Sequence, residues 1–556
     1  MNVDLNNLTK KQNLIFDRIF NDSKSEYIGL IDKIYEQSDK SIYFLLSSVT
    51  SRDFHLNDTL IKLTQLCFVK FCLLNYSVNK IIVYDKNQNT IIKSFIQKHN
   101  IDAKVLFISS YKDQIINILK FVYIFIKNFI TAIYFIREKS QSRLNKIKEK
   151  KEIIMINTYF IPSMFVGNEY KDRYYPNLFN FAKKKDNIFF NPTCLLGNKL
   201  PNAIKTCDKS NINFVYNFDL LKISDYLLAL FSSIILIKYR FNNLSFFDFD
   251  PTSIINTEIR KNIIRHSLFI PLLNYIYMQR LKEQGTDIKL FIDWFENQQL
   301  NRGFNIGRSE NYPNVKSKGY QGWIVSKNYY YYHQPTKFEK DIGSIPDEIA
   351  VIGKELVKSA TNYSGTQTIV SPAFRYDYVH DQLKEIADKK LILVTLPASF
   401  VVAKYILKFC YDNLPNNHHS NVVINYHPVL KLGPRNYISI LKKYGDYEFS
   451  DKSFSELIIN AGLVISNVSS ICIEAIAFGV PVIILQGGSP INQNPIPNTI
   501  DKNMWDECDN NVDFYNAFKR LFIEKDILAQ SKAAKLIRKE YFEPVNTKSV
   551  NDFLEL

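Results

Sequence analysis

The run LVISNVSSICIEAIAFGVPVIIL, Leu463–Leu485, constrains the fold more than any other part of the chain. Two short apolar stretches bracket a Ser/Asn loop and a helical segment that ends in Gly479 and Pro481. Gly just past a helix end with Pro soon after is a stop signal. All-apolar strands of this length belong in a sheet covered on both faces. The reading is strand, tight loop, helix over 471–478, tight turn, strand. The loop sets Ser466, Asn467, Ser469 and Ser470 at a helix N-terminus and Glu474 one turn inside. Such a terminus offers unpaired N–H groups and a partial positive charge, which suit a phosphate.

Similar apolar runs recur upstream. EIAVIG (348–353), TIVSP (368–372), KLILVTLP (390–397) and NVVINYHP (421–428) read as strands separated by helices. In the first half, SIYFLLSS (41–48), KIIVYD (80–85) and KVLFIS (104–109) give a βαβαβ rhythm. EIIMINTYF (152–160), NINFVYNF (211–218), KLFIDWFEN (289–297) and KGYQGWIVS (318–326) continue it. The expectation is an α/β chain of two Rossmann-like units, 1–345 and 346–525, divided near Gly343 and Pro346, with a helical tail over 526–556. Ligands then belong in the crevice at the carboxyl ends of the strands.

His427–Pro428 closes one strand. A His there can donate to a phosphate oxygen or, as a cation, stabilise a departing nucleotide; taken alone it is also an ordinary loop residue. The Ser pair could simply cap the helix. With Ser470 as N-cap, however, Glu474 falls one position beyond where a capping-box glutamate reaches back, which leaves its carboxylate for a ribose hydroxyl. Asp293 and Glu296 end a strand in the first half; such a carboxylate can take a proton from an acceptor hydroxyl or act as nucleophile. Asp53 is a rival base. Arg52 and Arg302 could grip a carboxylate bidentately. Asp248–Phe249–Asp250 is an isolated DxD in an aromatic stretch, and no HExxH stands in the chain, so no metal is expected.

Composition narrows the function classes. Glycine numbers only 17 of 556 residues, and neither GxGxxG nor a Walker A pattern stands, so side chains and helix ends must hold any phosphate. The net charge is +15, but no arginine-rich patch interleaved with aromatics and no zinc-finger spacing accompanies it, so nucleic acid is not an expected partner. Cys67, Cys72, Cys194, Cys207, Cys410, Cys472 and Cys508 form no CxxC pair, which predicts a reducing compartment. MNVDLNNLTKKQ carries no apolar signal core, and a cytoplasmic location follows as an expectation.

Ile115–Ile136 holds 14 Ile, Leu, Phe or Val residues. On an insertion scale these contribute about −4 to −8 kcal/mol and Lys120 with Lys127 cost about +5 to +7 kcal/mol, so a span is not favoured. The polar residues fall in one stripe at helical spacing. Two readings stand: a core helix, or a helix lying on the inner face of the cytoplasmic membrane, aided by the basic run Arg137–Lys151. Tyr226–Ile237 is too short to span and reads as core.

With these residues in view, YHP at 426–428 and SNVSS…EAIAFGVPVI at 466–483 resemble GT-B glycosyltransferases of bacterial surface-polysaccharide assembly (capsule, lipopolysaccharide), among them Kdo- and sialyl-type CMP-sugar transferases and teichoic-acid glycerophosphotransferases. DWFENQ…NIGRS…GYQGW…PD (293–347) is similar to a stretch of surface-carbohydrate biosynthesis proteins. The resemblance implies two facing Rossmann-like domains with C-terminal crossover helices. It implies a metal-independent transferase without cofactor, a nucleotide-sugar donor, CMP- or CDP-linked, held by His427, Ser469 and Ser470, and a glycan or lipid-linked glycan acceptor. Asp293, Glu296 and His427 are the catalytic candidates; Ser466, Asn467 and Glu474 complete the donor set. Position 482 is Val where a large retaining class carries a second Glu, and the stereochemical outcome stays open. The alternatives are transfer of glycerol phosphate from a CDP donor, or a non-catalytic scaffold of an assembly complex.

Overall fold

Three parallel sheets organise the chain among its described residues. The computed structural model describes all residues except 54–55, 109–112, 167–168, 195, 197–198, 325–334, 361–365, 382–388, 398, 428–446, 468 and 486–493. Pro428 and Val468, each part of a motif above, lie outside the described residues.

The first sheet is small: β1 (Asn2–Asp4), β2 (Lys80–Val83) and β3 (Lys104–Phe107), in that order. The strand expected at 41–48 is absent. Ile42–Leu45 is a helical turn and Ser48–Thr50 a 3-10 turn. Phe44, Leu45, Leu46 and Val49 are all buried. An apolar run covered on every side has no period to tell helix from strand.

Helix α1 (Asp113–Arg137) leads into the second sheet. This holds β4 (Ile153–Phe160), β5 (Ile188–Cys194) and β6 (Asn213–Phe214). Helices α2 (Ile223–Ile235) and α3 (Phe269–Glu283) follow, then β7 (Ile288–Trp294), α4 (Gln299–Asn311), β8 (Lys316–Gln321), β9 (Glu348–Val351) and β10 (Gln367–Val370). The order is β10-β9-β8-β7-β4-β5-β6. Every pairing is parallel. The order reverses between β4 and β7, a topological switch point.

The third sheet comprises β11 (Leu391–Thr395), β12 (Val422–Asn425), β13 (Glu448–Ser450), β14 (Ala461–Ser466), β15 (Val482–Leu485) and β16 (Trp505–Cys508). Its order is β13-β12-β11-β14-β15-β16, with the switch point between β11 and β14. Alternate residues feed two cores. Leu393, Val464 and Val482 join the core shared with the N-terminal half, while Ile392, Val394, Ile465 and Ile483 join a second core on the other face. Both faces are covered, so the strands read as unbroken apolar runs.

The 346 boundary moves. Strands β9 and β10, placed by the sequence in the C-terminal unit, extend the second sheet beyond β8, with Lys318 opposite Glu348 and Glu348 opposite Gln367. The third sheet begins only at Leu391.

After the third sheet, helix α5 (Ile471–Ala477, between β14 and β15) is covered by α6 (Ile527–Tyr541), and α7 (Thr547–Leu554) ends the chain. Arg538 Nη1 donates to Ala477 O at 2.5 Å, still in the C-terminal unit. The chain then returns to the second sheet. Glu543 N donates to Ile352 O at 2.7 Å, and Lys318 Nζ donates to Phe553 O at 2.8 Å. A Cβ on Gly353 would stand 2.4 Å from Tyr541 backbone, so this crossing needs glycine. The chain is thus an α/β protein of two facing Rossmann-like domains with C-terminal crossover helices.

Candidate active site

The Leu463–Leu485 reading holds as local structure: β14, loop, α5, turn, β15. Gly479 has φ 72°. Its N–H donates to Ile476 O at 2.9 Å and that of Val480 to Ala475 O at 2.9 Å, a Schellman end. The loop side chains are engaged. Ser466 is buried at the switch point, its Oγ accepting from Thr395 Oγ1 at 2.7 Å. Asn467 Nδ2 donates to Leu485 O at 2.8 Å. Both shape the loop beneath the crevice. Ser469 Oγ accepts from Ile471 N at 3.4 Å. Ser470 is already helical at φ −55°, ψ −27°, and makes no side-chain cap. Its hydroxyl donates instead to Glu474 Oε1 at 3.2 Å.

Glu474 is not spare. Its Oε2 accepts from Tyr378 OH, which comes from the short helix Tyr378–Asp381 after β10 and so joins the two halves. Glu474 is 7% exposed. Burial pushes its carboxyl above the ordinary range, against hydrogen bonds from Tyr378 and Ser470 and the charges of Arg375 and Arg173.

Those two arginines are the residues sequence reasoning missed. Arg375 sits in the 3-10 turn Phe374–Tyr376 after β10. Ala373 N donates to Glu543 O at 2.9 Å, and the Phe374 ring packs 5.8 Å from Tyr320. The Arg375 guanidinium lies 5.8 Å from the Trp294 ring centre and 5.7 Å from that of Tyr376. Arg173 is presented by a loop that Asp172 folds: Asp172 Oδ1 accepts from Tyr174 N at 2.7 Å and Tyr175 N at 2.5 Å. Burial lowers the Arg173 pKa, and the like charge of Arg375 lowers it further. His427, just past β12, is held below its ordinary value by burial and by the charges of Arg173 and Arg375. Among the described residues neither guanidinium has an ion-pair partner within 4.0 Å. The Glu474 carboxylate acts on both guanidiniums; against burial, it and Tyr376 raise the Arg375 pKa, while Arg173 stays lowered.

Opposite stand carboxylates. Gln298 Nε2 donates to Glu296 Oε2 at 2.6 Å and to Asp53 Oδ2 at 3.0 Å, and Trp294 Nε1 donates to Glu296 Oε1 at 2.8 Å. Burial raises the Glu296 pKa; the Trp294 hydrogen bond opposes this and the Asp53 charge adds to it. Arg375 also acts on Glu296, so the carboxylate and cation groups share one crevice. The rival bases Asp53 and Glu296 are therefore one linked pair.

Asp293 lies elsewhere. It is 0% exposed, beneath the crevice at the second sheet's switch point. It accepts from Asn157 Nδ2 at 2.9 Å, Asn305 Nδ2 at 2.9 Å and Asn301 Nδ2 at 3.0 Å. Burial raises it to about 8, those amides opposing. Asn301 Oδ1 in turn accepts from the Glu296 and Gln298 N–H groups at 3.2 and 3.1 Å. Asp293 thus positions the Glu296 loop and is closed to an acceptor. Arg52 and Arg302 are spent too: both pair with Glu339, Arg302 Nη2 at 2.6 Å, in a buried triad. In the DxD, Asp248 pairs with Lys70, and Asp250 Oδ1 accepts from Thr252 N at 2.9 Å at a helix start.

No family model and no curated protein matches this chain. Among solved structures it is similar to a UDP-GlcNAc 2-epimerase from Neisseria meningitidis bound to UDP-GlcNAc, at 10% identity over 73% of this chain and 99% of that one, TM-score 0.42. It is similar to the wall teichoic acid polymerase TagF, at 11% identity over 80% and 97%, TM-score 0.36. It is also similar to Acinetobacter baumannii MurG, at 10% identity over 73% and 99%, TM-score 0.37.

Proposed function

We propose that the chain is a metal-independent glycosyltransferase that takes a nucleotide-activated sugar, CMP-linked, and builds a bacterial surface polysaccharide. The observation that carries this reading is the meeting of Arg173, Arg375 and His427 beside the third sheet's switch point. The donor phosphate would sit among them, with Ser469 and Ser470 at its edge. Glu474, freed from Tyr378 on binding, would take the ribose. Glu296, poised by burial and linked to Asp53, would remove the acceptor proton.

The chemistry favours two cations over one. The phosphodiester of a CMP-sugar carries a single negative charge, and when the bond to the sugar breaks CMP departs as a dianion. A second guanidinium then stabilises the charge that develops as the bond breaks, which raises turnover more than affinity. His427, neutral beforehand, can hydrogen-bond the leaving phosphate and take up a proton as that charge grows.

Titration calorimetry with CMP, CDP, UDP and GDP, followed by turnover with labelled CMP-sugars and CDP-glycerol, tests the reading. Cytidine selectivity with sugar transfer supports it; transfer from CDP-glycerol alone replaces it with glycerophosphate chemistry. His427→Ala is expected to lower turnover strongly with the fold intact. Absence of any nucleotide-dependent rise in melting temperature would leave a scaffold as the better reading.

A further inference from the structure

Tyr226–Ile237 reads as core in the sequence, and a buried place was one of two readings for Ile115–Ile136. The first is half buried: Tyr226, Ala229, Leu230 and Leu236 lie in the core while Leu227, Leu228, Phe231, Ile234 and Ile237 face outward. The second is largely on the surface. Asn117–Arg137 is long and apolar enough to cross a membrane, yet only 11% of its apolar window is buried. Ile118 and Tyr123 are each 68% exposed, and on α2 Ile223 is 63% exposed. The helices touch: Phe125 and Phe231 have ring centroids 5.7 Å apart. Their outward apolar faces therefore adjoin, and a contiguous exposed apolar face of this kind marks an interaction surface.

We infer that this joint face of α1 and α2 docks on an anionic lipid bilayer, with α1 lying in the interface plane. At 100° per residue, the exposed apolar positions of α1 span one arc, Phe125 marks its α2 margin, and exposed Lys120 and Lys127 mark the other. That is the arrangement in which lysines snorkel to headgroups. Residues 117–151 hold nine basic and two acidic side chains, a charge that complements anionic lipid. The same charge argues against a second copy as occupant, because a two-fold dimer would press this basic rim against itself. A span is excluded by how the helix is held. Ala132 and Phe135 are buried against the domain. Just past the helix, Ser140 N donates to Asp219 Oδ1 at 2.9 Å and Arg143 Nη2 to the same oxygen at 2.7 Å. The inference does not rest on the donor assignment.

Flotation of the full chain with phosphatidylcholine vesicles, with and without phosphatidylglycerol, tests it in the absence of nucleotide. The expected result is binding at least about tenfold stronger to the anionic vesicles and weakened by salt. Ile126→Glu with Leu227→Glu should abolish it, and Lys120→Glu with Lys127→Glu should remove the preference for anionic lipid. These side chains face solvent, so melting temperatures should be unchanged. Wild-type protein that stays in solution with anionic vesicles overturns the inference. So does a dimer, seen by light scattering, that the apolar substitutions dissociate.

Discussion

The two large sheets share a strand order and a switch point, and they use that point in opposite ways. In the second sheet Asp293 fills it, ringed by Asn157, Asn301 and Asn305 and wholly buried. In the third sheet Thr395 and Ser466 close the floor, and His427 stands near Arg173 and Arg375, two guanidiniums that feel the Glu474 carboxylate but, among the described residues, pair with no carboxylate within 4.0 Å. One crevice ties its buried carboxyl to three neighbouring amides and sets geometry. The other gathers two guanidiniums and a histidine near its switch point. Topology marks where a site can be; the charge account decides whether there is one.

The contrast breaks most severely at the neighbouring triad. Glu339→Ala leaves Arg52 and Arg302 buried without a partner and should cost about 3–5 kcal/mol of stability, read by urea unfolding. The arginines hold Glu339 down at about 2 against burial, so its contribution is present above the ordinary glutamate pKa and is lost only as pH falls through about 2. Next comes Arg375→Gln, which should weaken nucleotide binding by about 2 kcal/mol, some thirtyfold, in calorimetry. Melting should change little, because the relieved repulsion with Arg173 is set against the lost attraction to Glu474.

Asp293→Asn sharpens the comparison through pH. The wild-type carboxyl is raised to about 8 in the fold. Its stabilising contribution is therefore full below about pH 4 and declines, by up to about 1.4 kcal/mol per unit, as pH rises to about 8. The stability of the variant relative to wild type should climb across that window and level off above it. Nucleotide affinity should not change. His427 gives the smallest effect. Its lowered pKa leaves it neutral in the free protein, and a bound phosphate favours the cation. Affinity should thus rise severalfold from pH 8 to pH 6 in wild type and lose that slope in His427→Gln.

Local pattern made the third sheet legible, since an apolar strand buried on both faces looks alike in any register. It mislaid β9 and β10 because the partner that claims them, β8, is named by pairing rather than by sequence. It took Ile42–Leu45 for a strand because covered helix and covered strand are alike at that length, and it took the whole of α2 for core, where only one face is buried, because an apolar run does not say which of its faces is covered. The loop, the helix stop and Glu296 were visible as motifs. Arg173 and Arg375 were not: each follows a strand or hairpin, in YKDRYYP and SPAFRYD, with no spacing that ties one to the other. Only the folded chain brings them to His427.

Titration of CMP and CDP into wild type and into an Arg173→Gln, Arg375→Gln double variant tests the account most directly. It predicts saturable binding in wild type and a loss of at least about a hundredfold in the double variant, with melting temperature maintained. Equal affinity in the two proteins, or no binding to a folded wild type, would contradict it.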